Sequence, residues 1–360
     1  MSVNSAYPLS QNSYKPQLDS LRAIAVLGVI WHHWFPEYTF GLPVAAGVQL
    51  FFVLSGFLIS DILLAARQRL EQQPGENPRI VICHFYARRI LRIVPLYYLV
   101  LLCCVWGNIA DLRQSFPWHF AYCSNFYFVL QQGWHRSVAH FWTLSVEEQF
   151  YLFWPFLVLF APRRRLMGWF IACAILAAIY RAAGVFLFPE IQLFAIGTLG
   201  SLDSLAFGAG LALAIRNPTA LTDRLRANKK LITLSALIGC FVTFLLPQDV
   251  AAMLSQVFGR TLLSIVFCVV VDACVKGVRG LPARILDFAA LRYIGKISYG
   301  LYLIHNLAWF PARLVANKYP ALVSLPYWDV WSKAVLTLFL ASASWHFFEK
   351  PIGLLKNRFP

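Results

Sequence analysis

Set within long apolar stretches of this chain are a few histidines, carboxylates and arginines able to do chemistry. Ionisable groups are expensive in hydrocarbon, so each one retained there is a functional candidate. Arg22 and His33 stand eleven residues apart in one such stretch. Eleven helical steps make three turns plus about 20°, so both project from one face, about 16 Å apart along the axis. A histidine placed this way can act as a base or a nucleophile, while its neighbour His32 reads as a packing residue. A second stretch carries His140, Ser145, Glu147, Glu148 and Gln149. Glu147 and Glu148 point about 100° apart and cannot face the same neighbour equally, so one of them suits a helix interface as a neutral, hydrogen-bonded acid. A third stretch carries Ser298, Tyr299, Tyr302 and His305, and Asp203 adds another carboxylate. These groups are expected to share one level of a membrane. Arg89 and Arg92 are i,i+3 neighbours on one helical face, a spacing suited to bidentate contacts with a phosphate-bearing ligand. Arg88 reads as ordinary anchoring to lipid phosphates.

The elements that must position these groups are membrane helices. Of 360 residues, 59 % are hydrophobic and 13 % charged, against about 45–50 % and 25 % in soluble domains. The net charge of +15 fits basic residues gathered in cytoplasmic loops. No basic run interleaved with aromatics points to nucleic acid. The eight cysteines form no CxxC pair, so neither a zinc site nor a disulfide framework is indicated. Residues 1–17 are polar and lack a signal peptide's basic-then-apolar order.

Stretches near or above the length that spans hydrocarbon run about 21–37, 44–64, 90–107, 140–160, 166–186, 195–215, 231–247, 257–276, 292–310 and 330–349. The fold expected is all-α and polytopic, with about ten transmembrane helices and both termini cytoplasmic. The shorter, more polar 116–130 is read as re-entrant or interfacial. Were it to cross, Arg163, Arg164 and Arg165 would face outward, against the positive-inside rule. Residues 1–17 read as a short tail, 18–350 as the membrane domain and 351–360 as a cytoplasmic tail. The segment 65–89 reads as a cytoplasmic excursion, and 311–329, with Pro311, Pro320 and Pro326, as irregular.

In order, these segments resemble the acyltransferase-3 family of membrane proteins, the O-antigen and polysaccharide O-acetylase type. The resemblance runs from Pro16 to Pro351. It rests on Gln-Leu-Asp-Ser-Leu-Arg-Ala-Ile-Ala at 17–25 with the Arg22-to-His33 spacing, and on Gly47 to Ile59. It continues through Arg89 with Arg92, Phe141 to Leu152 around Glu147, Gly295 to His305, and Phe348-Glu349-Lys350-Pro351. Ser20 stands where the family usually has glycine. Ser201 stands where it commonly has an arginine two residues before the aspartate, Asp203 here. The chain resembles stand-alone members without an esterase-like domain.

The resemblance implies acyl transfer, usually acetyl from acetyl-CoA, to a hydroxyl of a glycan or lipid-linked saccharide at a bacterial inner membrane. Arg22, Arg89 and Arg92 would hold the donor. His33 would activate the acceptor hydroxyl or be transiently acylated, with Glu147 orienting or protonating it. His305 and Tyr302 would relay protons or hold the thioester oxygen, and Asp19, Ser145, Asp203 and Ser298 are accessory candidates. Membrane lipids are expected neighbours; no metal, prosthetic group or nucleic acid is expected. Lipopolysaccharide, exopolysaccharide, lipid-linked precursors, peptidoglycan and small metabolites all remain open as acceptors. A proton-coupled transporter or flippase would also place ionisable residues in spans, but its inverted repeats are not visible.

Overall fold

The computed structural model describes residues 14–38, 46–73, 75–109, 112–133, 137–191, 194–243, 245–324 and 327–359. Residues 1–13 of the expected tail, Pro74, Arg136 and Pro326 lie outside the described residues. Among the described residues the secondary structure is helical, without a strand. The first half comprises α1 (Pro16–Trp34), α2 (Gly47–Gln72), α3 (Pro78–Trp106), α4 (Leu112–Phe120), α5 (Ser124–Gln131) and α6 (Phe141–Phe160). Then come α7 (Leu166–Leu187), α8 (Leu202–Arg216), α9 (Ala220–Ala227), α10 (Lys229–Val242), α11 (Gln248–Leu254) and α12 (Arg260–Lys276). The chain ends with α13 (Leu281–Leu286), α14 (Ala289–Lys296), α15 (Ser298–Ile304), α16 (Trp309–Lys318), α17 (Trp328–Ser344) and α18 (Lys350–Leu354).

Among the described residues, five helical stretches are long and apolar enough to cross a membrane: Gly47–Gln72, Pro78–Trp106, Arg163–Leu187, Thr198–Arg216 and Gln248–Lys276. Leu102, Phe153, Ile179 and Phe186 turn outward on their helices and are exposed, the surface a protein offers to lipid rather than water. This is a multi-pass membrane protein.

Two approaches of backbone to backbone fix the frame around the site. Gly56 on α2 lies against the backbone of Leu205, and Gly208 on α8 against that of Val53, with no room for a Cβ at either. Small residues let membrane helices pack this closely where lipid removes the usual hydrophobic drive. At the other contact, Gly295 of α14 sits on the backbone of Asp19 in α1, three residues from Arg22.

Several loop expectations are corrected. α2 runs on to Gln72 and α3 begins at Pro78, so 65–89 is mostly helix; Asn77 caps α3 by accepting from the Arg79 amide at 2.9 Å. Within 311–329, α16 extends to Lys318 and a 3-10 turn covers Pro320–Ser324; Pro311 falls in the first helical turn, where its missing N–H costs nothing. The tail expected over 351–360 holds α18 and a 3-10 turn, Leu355–Arg358. The stretch 292–310 is broken at Ile297 between α14 and α15. The segment 116–130 forms two helices of nine and eight residues. These rise only about 14 and 12 Å, each well short of the hydrocarbon thickness of about 30 Å. Tyr97 and Tyr98 hold the first of them by donating to the carbonyls of His119 and Phe120 at 2.8 and 2.7 Å.

Candidate active site

Each end of the Arg22–His33 face opens into a cavity. At the arginine end is a slot of about 100 Å³ lined by Arg22, Arg89, Arg92, Ser55, Glu147 and Ser298 among others. At the histidine end is a cavity of about 840 Å³ lined by His32, His33, His140, His305, Asn306 and Trp309 among others. Val48 and Tyr302 line both, so they form the wall between them. The Tyr302 hydroxyl is hydrogen-bonded to Thr143 Oγ1 at 2.6 Å and to the carbonyl of His140 at 3.1 Å. Phe51 meets its ring edge-on at 5.8 Å.

The histidine cluster fixes its own tautomers. His305 Nδ1 stands 2.6 Å from the carbonyl oxygen of Tyr302. A carbonyl only accepts, so in the neutral ring Nδ1 carries the proton and Nε2 holds a lone pair. That Nε2 lies 2.9 Å from His33 Nδ1, which must therefore be the donor. The remaining nitrogen of His33, Nε2, is left with its lone pair. His33 is exposed where it lines the large cavity, whereas His305 is 1 % exposed. His140 completes the cluster with its ring 4.7 Å from that of His305. Its Nε2 donates to the carbonyl of Leu303 at 3.2 Å, and Asn306 Nδ2 donates to its Nδ1 at 3.4 Å.

Glu147 is placed differently from expectation. It lines the arginine slot and accepts from the Ser55 hydroxyl at 2.5 Å; the side chain hydrogen-bonded to His33 is His305. Glu148 lines neither cavity described above, and its Oε1 is buried without a hydrogen-bond partner among the described residues. The supposed single level of histidines and carboxylates thus divides into a histidine cluster and an arginine–glutamate slot.

Arg22 is held by Asp19, whose Oδ1 lies 3.4 Å from its guanidinium. Tyr14 donates to the other oxygen of Asp19. Burial first, then that bond, pushes the Tyr14 hydroxyl up to about 12, so it remains a donor at neutral pH. Arg89 lies over the ring of Tyr151 at 5.4 Å, and Arg92 is exposed. No ion pair to a carboxylate satisfies Arg89 or Arg92 among the described residues, which leaves their donors for a ligand. Ser298 joins them in lining the slot, and its neighbour Tyr299 donates to the carbonyl of Ile93 at 2.7 Å.

Two sequence candidates belong elsewhere. Ser145 is buried and shares a hydrogen bond of 2.8 Å with Ser124, tying α5 to α6. Asp203 pairs with Arg181 at 2.8 Å, both side chains fully buried. The arginine absent at Ser201 is therefore matched by one from α7, which also donates to the carbonyls of Gly200 and Val257. Sequence reasoning named His140 but gave it no role, although it stands seven residues before Glu147 and so on nearly the same helical face. Arg181 carried a signal too, as a charge inside an apolar run.

The pattern of the acyltransferase-3 family, described as an acyltransferase domain, matches residues 15–345, and the chain belongs to that family. It is 28 % identical over 377 residues to the peptidoglycan O-acetyltransferase OatA of Listeria monocytogenes, covering 96 % of this chain and 56 % of that protein. It is 28 % identical over 364 residues to the O-acetyltransferase OatA of Staphylococcus aureus, covering 94 % and 57 %. YrhL of Bacillus subtilis is 29 % identical over 371 residues, covering 94 % and 55 %. The chain spans about half the length of the curated relatives it matches. No solved structure matches it.

Proposed function

We propose that the protein transfers an acyl group, acetyl in the first instance, from acyl-CoA to a hydroxyl of a cell-envelope glycan. The observation that carries this is the His33–His305 contact of 2.9 Å, which leaves a basic nitrogen facing a large cavity one wall away from three arginines. The donor's phosphates bind at Arg22, Arg89 and Arg92 through charge-assisted, bidentate contacts. Its uncharged arm enters the slot. The slot's volume is about 100 Å³ against about 840 Å³ for the large cavity, so the wall of Val48 and Tyr302 must yield as the arm enters.

In the large cavity, His33 Nε2 removes the proton of the acceptor hydroxyl while its oxygen bonds to the thioester carbonyl carbon. The carbon–sulfur bond then breaks, and the proton passes from His33 to the departing sulfur, giving an O-acyl glycan and CoA. His305 steadies the imidazolium through Nδ1–H of His33 once its own Nδ1 is committed to the Tyr302 carbonyl. The Tyr302 hydroxyl lines both cavities and donates to the His140 carbonyl; turning that one proton to the thioester oxygen would stabilise the charge that develops there. Glu147 and Ser55 line the donor's passage. Relatives named for peptidoglycan acetylation favour a glycan acceptor such as peptidoglycan over lipopolysaccharide, and favour transfer over proton-coupled transport.

The setting we infer is a bacterial inner membrane. Each of the ten apolar stretches of the sequence contains helix among the described residues, and the arginine end faces the cytoplasm with both termini. The test is CoA release and label transfer from acetyl-labelled acetyl-CoA in membranes carrying the protein. His33→Ala should insert normally yet lose transfer by about 10²–10⁴-fold; wild-type turnover by that variant overturns the reading.

A further inference from the structure

The large cavity carries a charge asymmetry that acyl transfer alone does not require. Among the described residues its lining includes Arg260 and Lys333 and no carboxylate. Arg260 opens α12 directly after a π-helical turn, Ser255–Gly259, a local irregularity that recurs at functional sites. The same turn presents the Val257 carbonyl to Arg181 at 2.9 Å. The Arg260 guanidinium donates once to the carbonyl of Ala195 at 2.7 Å and lies over the ring of Trp142 at 5.8 Å. It has no ion-pair partner among the described residues. Asp203, the one carboxylate in whose field it stands beside Arg181, is committed to Arg181 and to Thr261, which donates to it at 2.6 Å. Asp203 thus serves Arg181, and the positive charge of Arg260 fronts the cavity. Lys333 is tied only to the exposed Asp329, an i,i+4 pair at 2.6 Å, a weak tie from which it can be drawn away. Trp34, Trp142 and Trp309 supply flat apolar faces in the same cavity, which suit the faces of sugar rings.

We propose that this cavity selects a glycan acceptor bearing an anionic substituent, a carboxylate or a phosphate, which Arg260 binds while the tryptophans pack on the sugar. The proposal rests on the acyltransferase reading. An anion there would gain a bidentate partner already oriented by Ala195 and Trp142.

The experiment uses the full chain in membranes with labelled acetyl-CoA. It offers an uncharged oligosaccharide, its uronic-acid counterpart and its sugar-phosphate counterpart. Wild type should favour at least one charged acceptor over the neutral one by tenfold or more in kcat/KM, and which of the two wins separates carboxylate from phosphate. Arg260→Gln should cut that charged-to-neutral ratio at least tenfold, with Arg260→Lys between the two. If wild type shows no charge preference, or Arg260→Gln keeps it, the inference is overturned; the wild-type comparison stands even should the variant fold poorly. Label transfer to any of the three acceptors, compared between wild type and His33→Ala, tests the acyltransferase reading separately. Transfer to none of them overturns that reading, while transfer without charge preference overturns only the anionic acceptor.

Discussion

At the residue scale, the activity hangs on where one proton sits. His305 Nδ1 faces only a carbonyl, so His33 is compelled to donate from Nδ1 and keep Nε2 free. Removing His305 lets the His33 ring turn and exchange tautomers. His305→Ala should therefore lower kcat by about a hundredfold, the lower end for a positioned acid–base group, with KM for acetyl-CoA little changed. Equal losses in kcat and donor affinity would show that His305 holds the donor instead. The Arg22-to-His33 spacing made this face legible, because helical angles decide which residues share a side. They do not decide which neighbouring helix lies opposite. Glu147 was accordingly expected beside His33, whereas the packing of α15 against α1 supplies His305 and leaves Glu147 to Ser55.

At the scale of elements, the wall between slot and cavity and the frame behind it make separable predictions. Val48 lines both spaces, so Val48→Trp should plug the passage. Acetyl transfer should be lost while acetyl-CoA still binds at the arginine rim, as measured by equilibrium binding to membranes. Transfer at the wild-type rate through Val48→Trp would mean that the arm travels by another route. Gly56 on α2 has no space for a side chain against α8. Gly56→Leu should cost at least the 1–3 kcal/mol typical of overpacking, seen as a lower melting temperature in detergent. Arg181→Ala leaves Asp203 buried and unpaired, which costs about 3–5 kcal/mol; Arg181→Met with Asp203→Leu should regain most of it. The helices themselves were legible as apolar stretches. The short loops were not, because Asn77 as a cap and Pro311 in a first turn extend helix into segments whose charges and prolines suggested irregular chain.

Over the whole molecule, one site is open at two ends, with arginines lining one and histidines the other. Arg89→Ala with Arg92→Ala removes charge-assisted contacts worth about 1.5–3 kcal/mol each. KM for acetyl-CoA should rise by about 10²–10⁴-fold if the two losses add, with the glycan's KM unchanged. Composition made the membrane class readable. The two cavities were not, since they arise from contacts between helices distant in sequence. The most direct measurement supplies acetyl-CoA on one side of uniformly oriented proteoliposomes and the glycan acceptor only on the other. The account predicts acetylated glycan when acetyl-CoA is on the arginine side and the acceptor on the histidine side, and none when the two are exchanged. Transfer only when donor and acceptor share a side would contradict it.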